Sequence, residues 1–267
     1  MIRPTRTIVV FDGKGGSNRR RKIFPQYKMG RKMSYRLNRA NNYLTREEEQ
    51  KMMIRQLNRV VEYLECLPIT LINIENNEAD DVIGYISRYM FQEDNIVILS
   101  SDKDFYQLLN DKTTIYSPTS KKFIKSEDVF NRFGVYPVNF CLARTMMGDP
   151  SDNIDGVKGA GFKTLVKRIP QIAKNEELEI DMLFKVCKKQ SELSKIKVYN
   201  TINESHDLIR RNWQLMYLGT DNLSAAQIKK INYSIDTKIE DSMETIGMLV
   251  GKIPLDEWDK FKEKYEE

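Results

Sequence analysis

Three carboxylates fall within four residues at Glu78-Ala79-Asp80-Asp81, and the rest of the chain is read around them. The stretch follows Ile69-Thr70-Leu71-Ile72-Asn73-Ile74, which reads as a buried strand, and it opens a run with Val82, Ile83, Ile86 and Met90 on one helical face. The acids therefore stand at a strand-to-helix junction, where the ends of parallel strands present ligands. At 100° per residue, Glu78 and Asp81 lie about 60° apart around the helix, with Asp80 beside them. The helix dipole stabilises one acid at that end by a few tenths to about 1 kcal/mol. Three acids repel one another unless a cation lies between them. Two readings stay open on this stretch alone, a dipole-stabilised helix start and a metal site.

The donor types in the chain narrow the metal. There is one histidine, His206, and the cysteines Cys66, Cys141 and Cys187 are far apart with no Cys-x-x-Cys pair. A disulfide framework is excluded and a reducing compartment fits. A zinc site or a Ser-His-Asp triad would lean on a single imidazole with no nucleophile motif near it. A metal here is a hard ion on oxygen ligands, Mg²⁺ or Mn²⁺. No run approaches the roughly 18 apolar residues of a membrane span, and no signal-peptide pattern opens the chain. The expected location is cytoplasmic, the host cytoplasm for a phage-encoded chain. With 267 residues, one large domain or two small ones can bury a core.

Thr7-Ile8-Val9-Val10-Phe11 ends in Asp12 and reads as a buried parallel strand, broken by Gly13, Gly15 and Gly16. Arg19-Arg20-Arg21-Lys22 and Tyr27-Lys28-Met29-Gly30-Arg31-Lys32 follow, then Arg36 and Arg39, with Tyr35 and Tyr43 interleaved. From Gly13 to Arg46 there are eleven Lys or Arg and no acid; with +5 overall, the remainder of the chain is left at −6. Such segregation suits a polyanion gripped beside a metal centre. A solvated loop is the plain reading of a basic run. The tyrosines favour nucleic acid, whose bases stack on rings while cations take the phosphates.

Thr45 and Glu48 form a capping box, so a helix starts there, with Met53, Leu57, Val60, Val61 and Leu64 on its apolar side. Asn95-Ile96-Val97-Ile98-Leu99-Ser100 reads as a further buried strand and ends in Ser101-Asp102-Lys103-Asp104. Strand, helix, strand, with acids at each exit, predicts a doubly wound α/β sheet. Thr113 to Tyr116 and Lys122 to Ile124 are expected to pair as a hairpin. Pro137 starts a helix to Met147, stopped by Gly148, before a third acidic pair in Asp149-Pro150-Ser151-Asp152-Asn153. Gly156-Val157-Lys158-Gly159-Ala160-Gly161-Phe162-Lys163 then offers backbone N–H groups to a phosphate, with Lys158, Lys163, Lys167 and Arg168 adding charge. It is not a Walker A loop, because Phe162 stands where Lys-Ser/Thr must follow the last glycine. From Gln171 onward the pattern is helical. Trp213, Leu215, Met216, Leu218, Ile246, Leu249 and Val250 are expected in its core.

These motifs together resemble the 5′-nuclease superfamily: the bacteriophage 5′→3′ exonucleases, the flap endonucleases and the 5′-nuclease domain of bacterial DNA polymerase I. The matching segments are Val9-Val10-Phe11-Asp12, Tyr27-Lys28-x-x-Arg31, Glu78-Ala79-Asp80-Asp81, Ser101-Asp102-Lys103-Asp104, Gly148-Asp149-x-x-Asp152-Asn153 and Gly156-Val157-Lys158-Gly159-x-Gly161. The resemblance implies an α/β fold with a mostly parallel sheet flanked by helices, a PIN-like core over residues 1–135. Within it a basic helical arch would span about 28–65. A helical region, 136–267, would pack on the core and carry a helix-turn-helix DNA-binding element at about 137–170.

On the same footing, Asp12, Glu78, Asp80, Asp81, Asp102, Asp104, Asp149 and Asp152 would form the acidic metal-binding cleft. Two Mg²⁺ or Mn²⁺ about 4 Å apart can supply a hydroxide and stabilise the leaving oxygen, with some of the acids acting through bound water. Lys28 and Arg31 would meet the scissile phosphate as the catalytic basic pair. Arg19, Arg20, Arg21, Tyr27, Lys32, Tyr35, Arg36 and Arg39 would steer a 5′ single strand. Lys158, Gly159, Gly161, Lys163 and Lys167 would hold the duplex backbone, with room for a K⁺ on the turn's carbonyls. The implied partner is DNA at 5′ ends, flaps and forks, extending to RNA-DNA primers and replication proteins, and the implied state is a monomer.

One expectation departs from the family pattern. The family places an earlier strand, ending in Asp-Gly, a few dozen residues before the strand matched by Thr7 to Phe11, whereas only Met1 to Arg6 precede it here. The chain is expected to lack one metal ligand and one strand of the sheet. This keeps a second reading in play, a structure-specific DNA-binding protein weakened in catalysis. A TOPRIM or phosphatase-type enzyme also uses Asp-x-Asp at a strand end, but the glycine-rich turn and basic block argue against it.

Overall fold

The structure is a computed structural model in which residues 4–30 and 45–237 are described. Arg31, Lys32, Tyr35, Arg36, Arg39, Tyr43, Ile246, Leu249 and Val250 lie outside them. The strands are β1 (Ile8–Asp12), β2 (Thr70–Ile74), β3 (Ile96–Leu99), β4 (Thr113–Ser117) and β5 (Lys122–Ile124). The helices of the first half are α1 (Asn18–Ile23), α2 (Arg46–Glu65), α3 (Ala79–Tyr85) and α4 (Ser126–Phe133). Those of the second half are α5 (Pro137–Met147), α6 (Phe162–Arg168), α7 (Ile180–Leu193), α8 (Lys197–Glu204), α9 (His206–Met216) and α10 (Ala225–Asp236). The fold is α/β, as expected. The described residues fall into two compact units, 4–11, 45–73 and 226–237 in one, 12–30 and 74–225 in the other.

In the first unit β1 pairs with β2. α2 starts at the predicted capping box: the Glu48 N–H donates to the Thr45 hydroxyl at 3.3 Å, and the Thr45 N–H to the Glu48 carboxylate at 2.8 Å. Its apolar side differs from expectation, since Leu57 and Val60 are each about half exposed.

The second unit holds β3, β4 and β5 in that order, with β3–β4 parallel and β4–β5 the expected antiparallel hairpin. β3 is less covered than the buried strand its sequence predicts. At the sheet edge only its inward side is packed, so Ile98 is buried while Leu99 is 69 % exposed. The inward side meets Phe105, Tyr106, Ile115, Val129 and Phe140. α5 through α9 enclose a second core in which Leu142, Met146, Leu165, Ile169, Leu183, Cys187, Ile202 and Ile209 are almost wholly buried. Each such side chain contributes about 1.5–3 kcal/mol of transfer free energy. Of the predicted core residues here, Leu215, Met216 and Leu218 are buried. All three cysteines are buried free thiols. No helix among the described residues is long and apolar enough to cross a membrane.

Candidate functional site

The acids are brought together by four chain exits of the second unit. After Asp12 the chain turns at Gly13, whose N–H donates to the Asn77 carbonyl at 3.0 Å. A Cβ on Gly13 would lie 1.8 Å from the Ile74 carbonyl oxygen, so only glycine allows this approach. The turn sets Asp12 against the start of α3, where its carboxylate accepts from the Ala79 N–H at 2.8 Å. α3 then carries Glu78, Asp80 and Asp81 as its N-cap and first turn. Asp102 caps a 3₁₀ turn, Lys103–Leu108, by accepting from the Asp104 N–H at 2.9 Å. Gln107 fixes that turn through the Met216 carbonyl and the Leu218 N–H, both at 3.0 Å.

Past α5, Gly148 takes φ +75°, and an antiparallel bridge joins Asp149 to Ile154. Asp149 accepts from the Ser151 N–H at 2.9 Å and the Ser151 hydroxyl at 2.7 Å. Asn212 on α9 ties the loop down by donating to the carbonyls of Thr145 at 3.0 Å and Asp155 at 2.7 Å.

Asp12, Glu78, Asp80, Asp102, Asp104, Asp149 and Asp152 all line one cavity of about 160 Å³, together with Lys28, Arg20 and Tyr27. Glu78 is held by three side chains. Lys28 Nζ lies 2.8 Å from its Oε1, while the Tyr27 hydroxyl at 3.1 Å and Arg20 Nη1 at 3.3 Å share its Oε2. Lys28 itself has φ +55° and donates its N–H to the Asp152 carbonyl at 2.9 Å. That is a left-handed conformation seldom taken by a residue with a Cβ.

Charge is not balanced across the cavity. Burial, with Asp102 and Glu78 as like-charged neighbours, pushes the Asp80 carboxyl up to about 7. Burial also raises Asp104, to about 6, with Asp102 and Asp149 adding to the rise against the pull of Arg144. Asp149 is affected by burial too, but its Ser151 hydrogen bonds and Arg144 outweigh it and hold the carboxyl below its ordinary value. Among the described lining residues, the ligands on offer to a hard cation are carboxylate oxygens. Among the described residues, no three His, Cys, Asp or Glu side chains are gathered tightly enough to form a ready coordination shell. The cavity thus fits a hard divalent cation by charge and donor type, with part of the coordination left to water.

Three predicted site residues are placed differently. Arg20 is not among the surface cations: it is 2 % exposed, and its guanidinium donates to both Asp81 oxygens at 2.7 Å and to the Leu215 carbonyl at 2.8 Å. Asp81 is correspondingly absent from the cavity lining, with Arg20 and the Asn222 amide (2.6 Å) on its oxygens. Tyr27, predicted to stack on a base, is buried with its hydroxyl on Glu78. Arg20 and Tyr27 are turned inward as partners of two buried carboxylates, Asp81 and Glu78. Burial lowers the Arg20 proton affinity, but Asp81 more than reverses this and raises it. Arg19 is half-buried, whereas Arg21 is exposed. Lys158, Gly159, Gly161, Lys163 and Lys167 are all exposed around the start of α6.

Sequence reasoning missed Arg144. Its Nη2 lies 2.5 Å from Asp149 Oδ2 and 3.3 Å from Asp104 Oδ1. Its place in the last turn of α5 gave it an ordinary explanation as a dipole complement.

Residues 1–134 match the family described as 5′-3′ exonuclease, N-terminal resolvase-like domain. DNA polymerase I of Bacillus subtilis (strain 168) is 29 % identical over 236 residues, spanning 86 % of this chain but only 24 % of that protein. The 5′-3′ exonuclease of Buchnera aphidicola subsp. Schizaphis graminum is 28 % identical over 217 residues, 73 % of this chain and 70 % of that one. The solved structure of T5 5′-exonuclease with divalent metal ions (zinc) bound superposes with a TM-score of 0.70 at 26 % identity, covering 88 % of this chain and 85 % of that one.

Proposed function

The chain belongs to the 5′-3′ exonuclease family, and on that premise we propose that its acidic cavity is a divalent-cation-dependent nuclease site acting on DNA at 5′ ends and flaps. The observation that supports this most is Asp80. It lines the cavity beside Asp102 and Glu78, and burial with those two like charges raises its carboxyl to about 7 against the weaker pull of Lys28 and Arg20. Structural acids are paired in the fold, as Asp81 is with Arg20. A carboxylate with no ion pair among the described residues, one of seven that line the cavity, is suited to an added cation.

Bound Mg²⁺ or Mn²⁺ would supply an activated water and stabilise the leaving oxygen of the cut phosphodiester. The chain's own residues bind and orient. Asp80, Asp102, Asp12, Asp104 and Asp152 offer oxygens to cations directly or through water, and Glu78 is clamped by Lys28, Tyr27 and Arg20. Lys28 stands at the cavity wall, where its ammonium can meet the negative charge that grows on a phosphate, and Arg31 is proposed as its partner. The glycine turn before α6, with Lys158, Lys163 and Lys167 exposed on it, would take the duplex backbone, with K⁺ as a candidate ion on its carbonyls. RNA-DNA primers and replication partners extend the same reading.

One observation favours a binding-only role: no three acids form a ready shell among the described residues. A single assay separates the two. A 5′-flap duplex labelled on the flap should be cut only with Mg²⁺ or Mn²⁺, and Asp80→Asn should slow cutting on the order of 100-fold or more while leaving flap binding in EDTA intact. Binding without cutting by the unmodified chain would establish the second role, and cutting that persists in EDTA would end the metal-dependent one.

A further inference from the structure

The two sides of the acidic cavity are not equivalent. On one side Asp80 and Asp102 line the cavity, and among the described residues no Lys or Arg forms an ion pair with either. On the other, Arg144 reaches Asp149 Oδ2 and Asp104 Oδ1, while Asp149 Oδ1 is already occupied by the Ser151 N–H and hydroxyl. Both Asp149 oxygens and one Asp104 oxygen are therefore engaged by the protein. Arg144 is not itself among the cavity-lining residues, so it stands behind the two carboxylates rather than beside the substrate. Its side chain is only 16 % exposed and its Nε–H is buried without a partner in the structure. A surface arginine complementing a helix dipole needs neither feature.

We propose that Arg144 is a resident cation of this site: by engaging Asp104 and Asp149 it makes their side of the cavity hold a divalent ion much more weakly than the Asp80–Asp102 side, so that two ions load in order. The proposal rests on the reading that the cavity takes divalent cations. A guanidinium beside two carboxylates cancels part of the field an incoming ion would feel, and in a half-buried setting that field is little screened. Asp149 is left to act mainly through water. The weakly held second ion gains oxygens when a phosphate arrives, which couples full metal loading to the presence of substrate. Arg144 is thus a positioning residue that acts through Asp104 and Asp149.

The test is Mn²⁺ binding to the full chain without DNA, followed by calorimetry and by the electron-spin signal of free Mn²⁺. The unmodified chain should show one tight and one weak event. Arg144→Gln should tighten the weak event on the order of tenfold or more, and Arg144→Lys should leave it weak. Melting curves provide a second readout: Arg144→Gln should melt lower than the unmodified chain without Mn²⁺ and show the larger rise when Mn²⁺ is added. Two equal events in the unmodified chain, or a weak event unmoved by Arg144→Gln, would overturn the assignment alone. No Mn²⁺ binding by either form would overturn it together with the divalent-cation reading. If Arg144→Gln does not fold even with Mn²⁺, the number and spacing of events in the unmodified chain and in Arg144→Lys decide the matter.

Discussion

Burying Arg20 and Asp81 strips both side chains of water, and only their mutual contact with help from Asn222 and the Leu215 carbonyl offsets that. Removing one partner leaves a charge stranded in the interior. Arg20→Met should therefore lose about 3–5 kcal/mol in urea unfolding, whereas Arg20→Met with Asp81→Leu should recover much of the loss. The exposed neighbour Arg21, changed to Met, should move stability by no more than about 0.5 kcal/mol. Equal effects at Arg20 and Arg21 would contradict the buried pair. Part of this was written in the sequence. Arg20, Ile23, Phe24 and Tyr27 recur at helical spacing, which puts Arg20 on the inward stripe of α1 rather than among the outward cations. Its partner was not legible, since Asp81 lies 61 residues further on and had a function of its own to explain it.

Among the elements, the segment from α5 to α6 depends on glycine in two distinct ways. A Cβ on Gly156 would lie 2.0 Å from the Met147 carbonyl oxygen, with no flexible side chain to move aside. Gly159 has open space around it and needs glycine only for its φ of +85°. Gly159→Ala should thus cost about 1 kcal/mol, and Gly156→Ala several times more, read by thermal melting. The first should weaken duplex binding more than it weakens the fold. Elements of this kind were legible because their signals are local: the Thr45 capping box, Pro137 at a helix start, Gly148 at its end and the alternation that pairs β4 with β5. Packing was less so. β3 and the apolar side of α2 carry the residue types of buried segments, yet Leu99, Leu57 and Val60 are exposed, because periodicity reports which face is apolar and not what covers it.

For the molecule as a whole, the acidic cavity sets how stability follows pH. Asp80 and Asp104 have folded-state values of about 7 and about 6, above their ordinary 3.8. The folded chain therefore keeps protons that the unfolded chain has released, and stability falls as pH rises through this window. Asp149 has the opposite sign, but its change lies below its ordinary value and is complete before the window opens. In EDTA the melting temperature should drop between about pH 5 and about pH 8, and Asp80→Asn should flatten that slope. A melting temperature that climbs over the same range would show that Asp80 is compensated after all. The acids at three junctions announced such a cavity in the sequence. The internal cations that tune it did not announce themselves, because Arg20 sat within a basic run and Arg144 at a helix end where either is unremarkable.

Cys66, Cys141 and Cys187 give the chain a practical property. All three are buried, and burial pushes the Cys141 and Cys187 thiols up to about 12, far from the thiolate form that reacts with maleimides and disulfide reagents. A cysteine introduced at an exposed position such as Lys163 would then be the fast-reacting thiol against a slow native background. Fluorophores or spin labels could be attached to the glycine-turn face without first stripping the native sulfurs, and distances to a labelled DNA end followed during a single encounter.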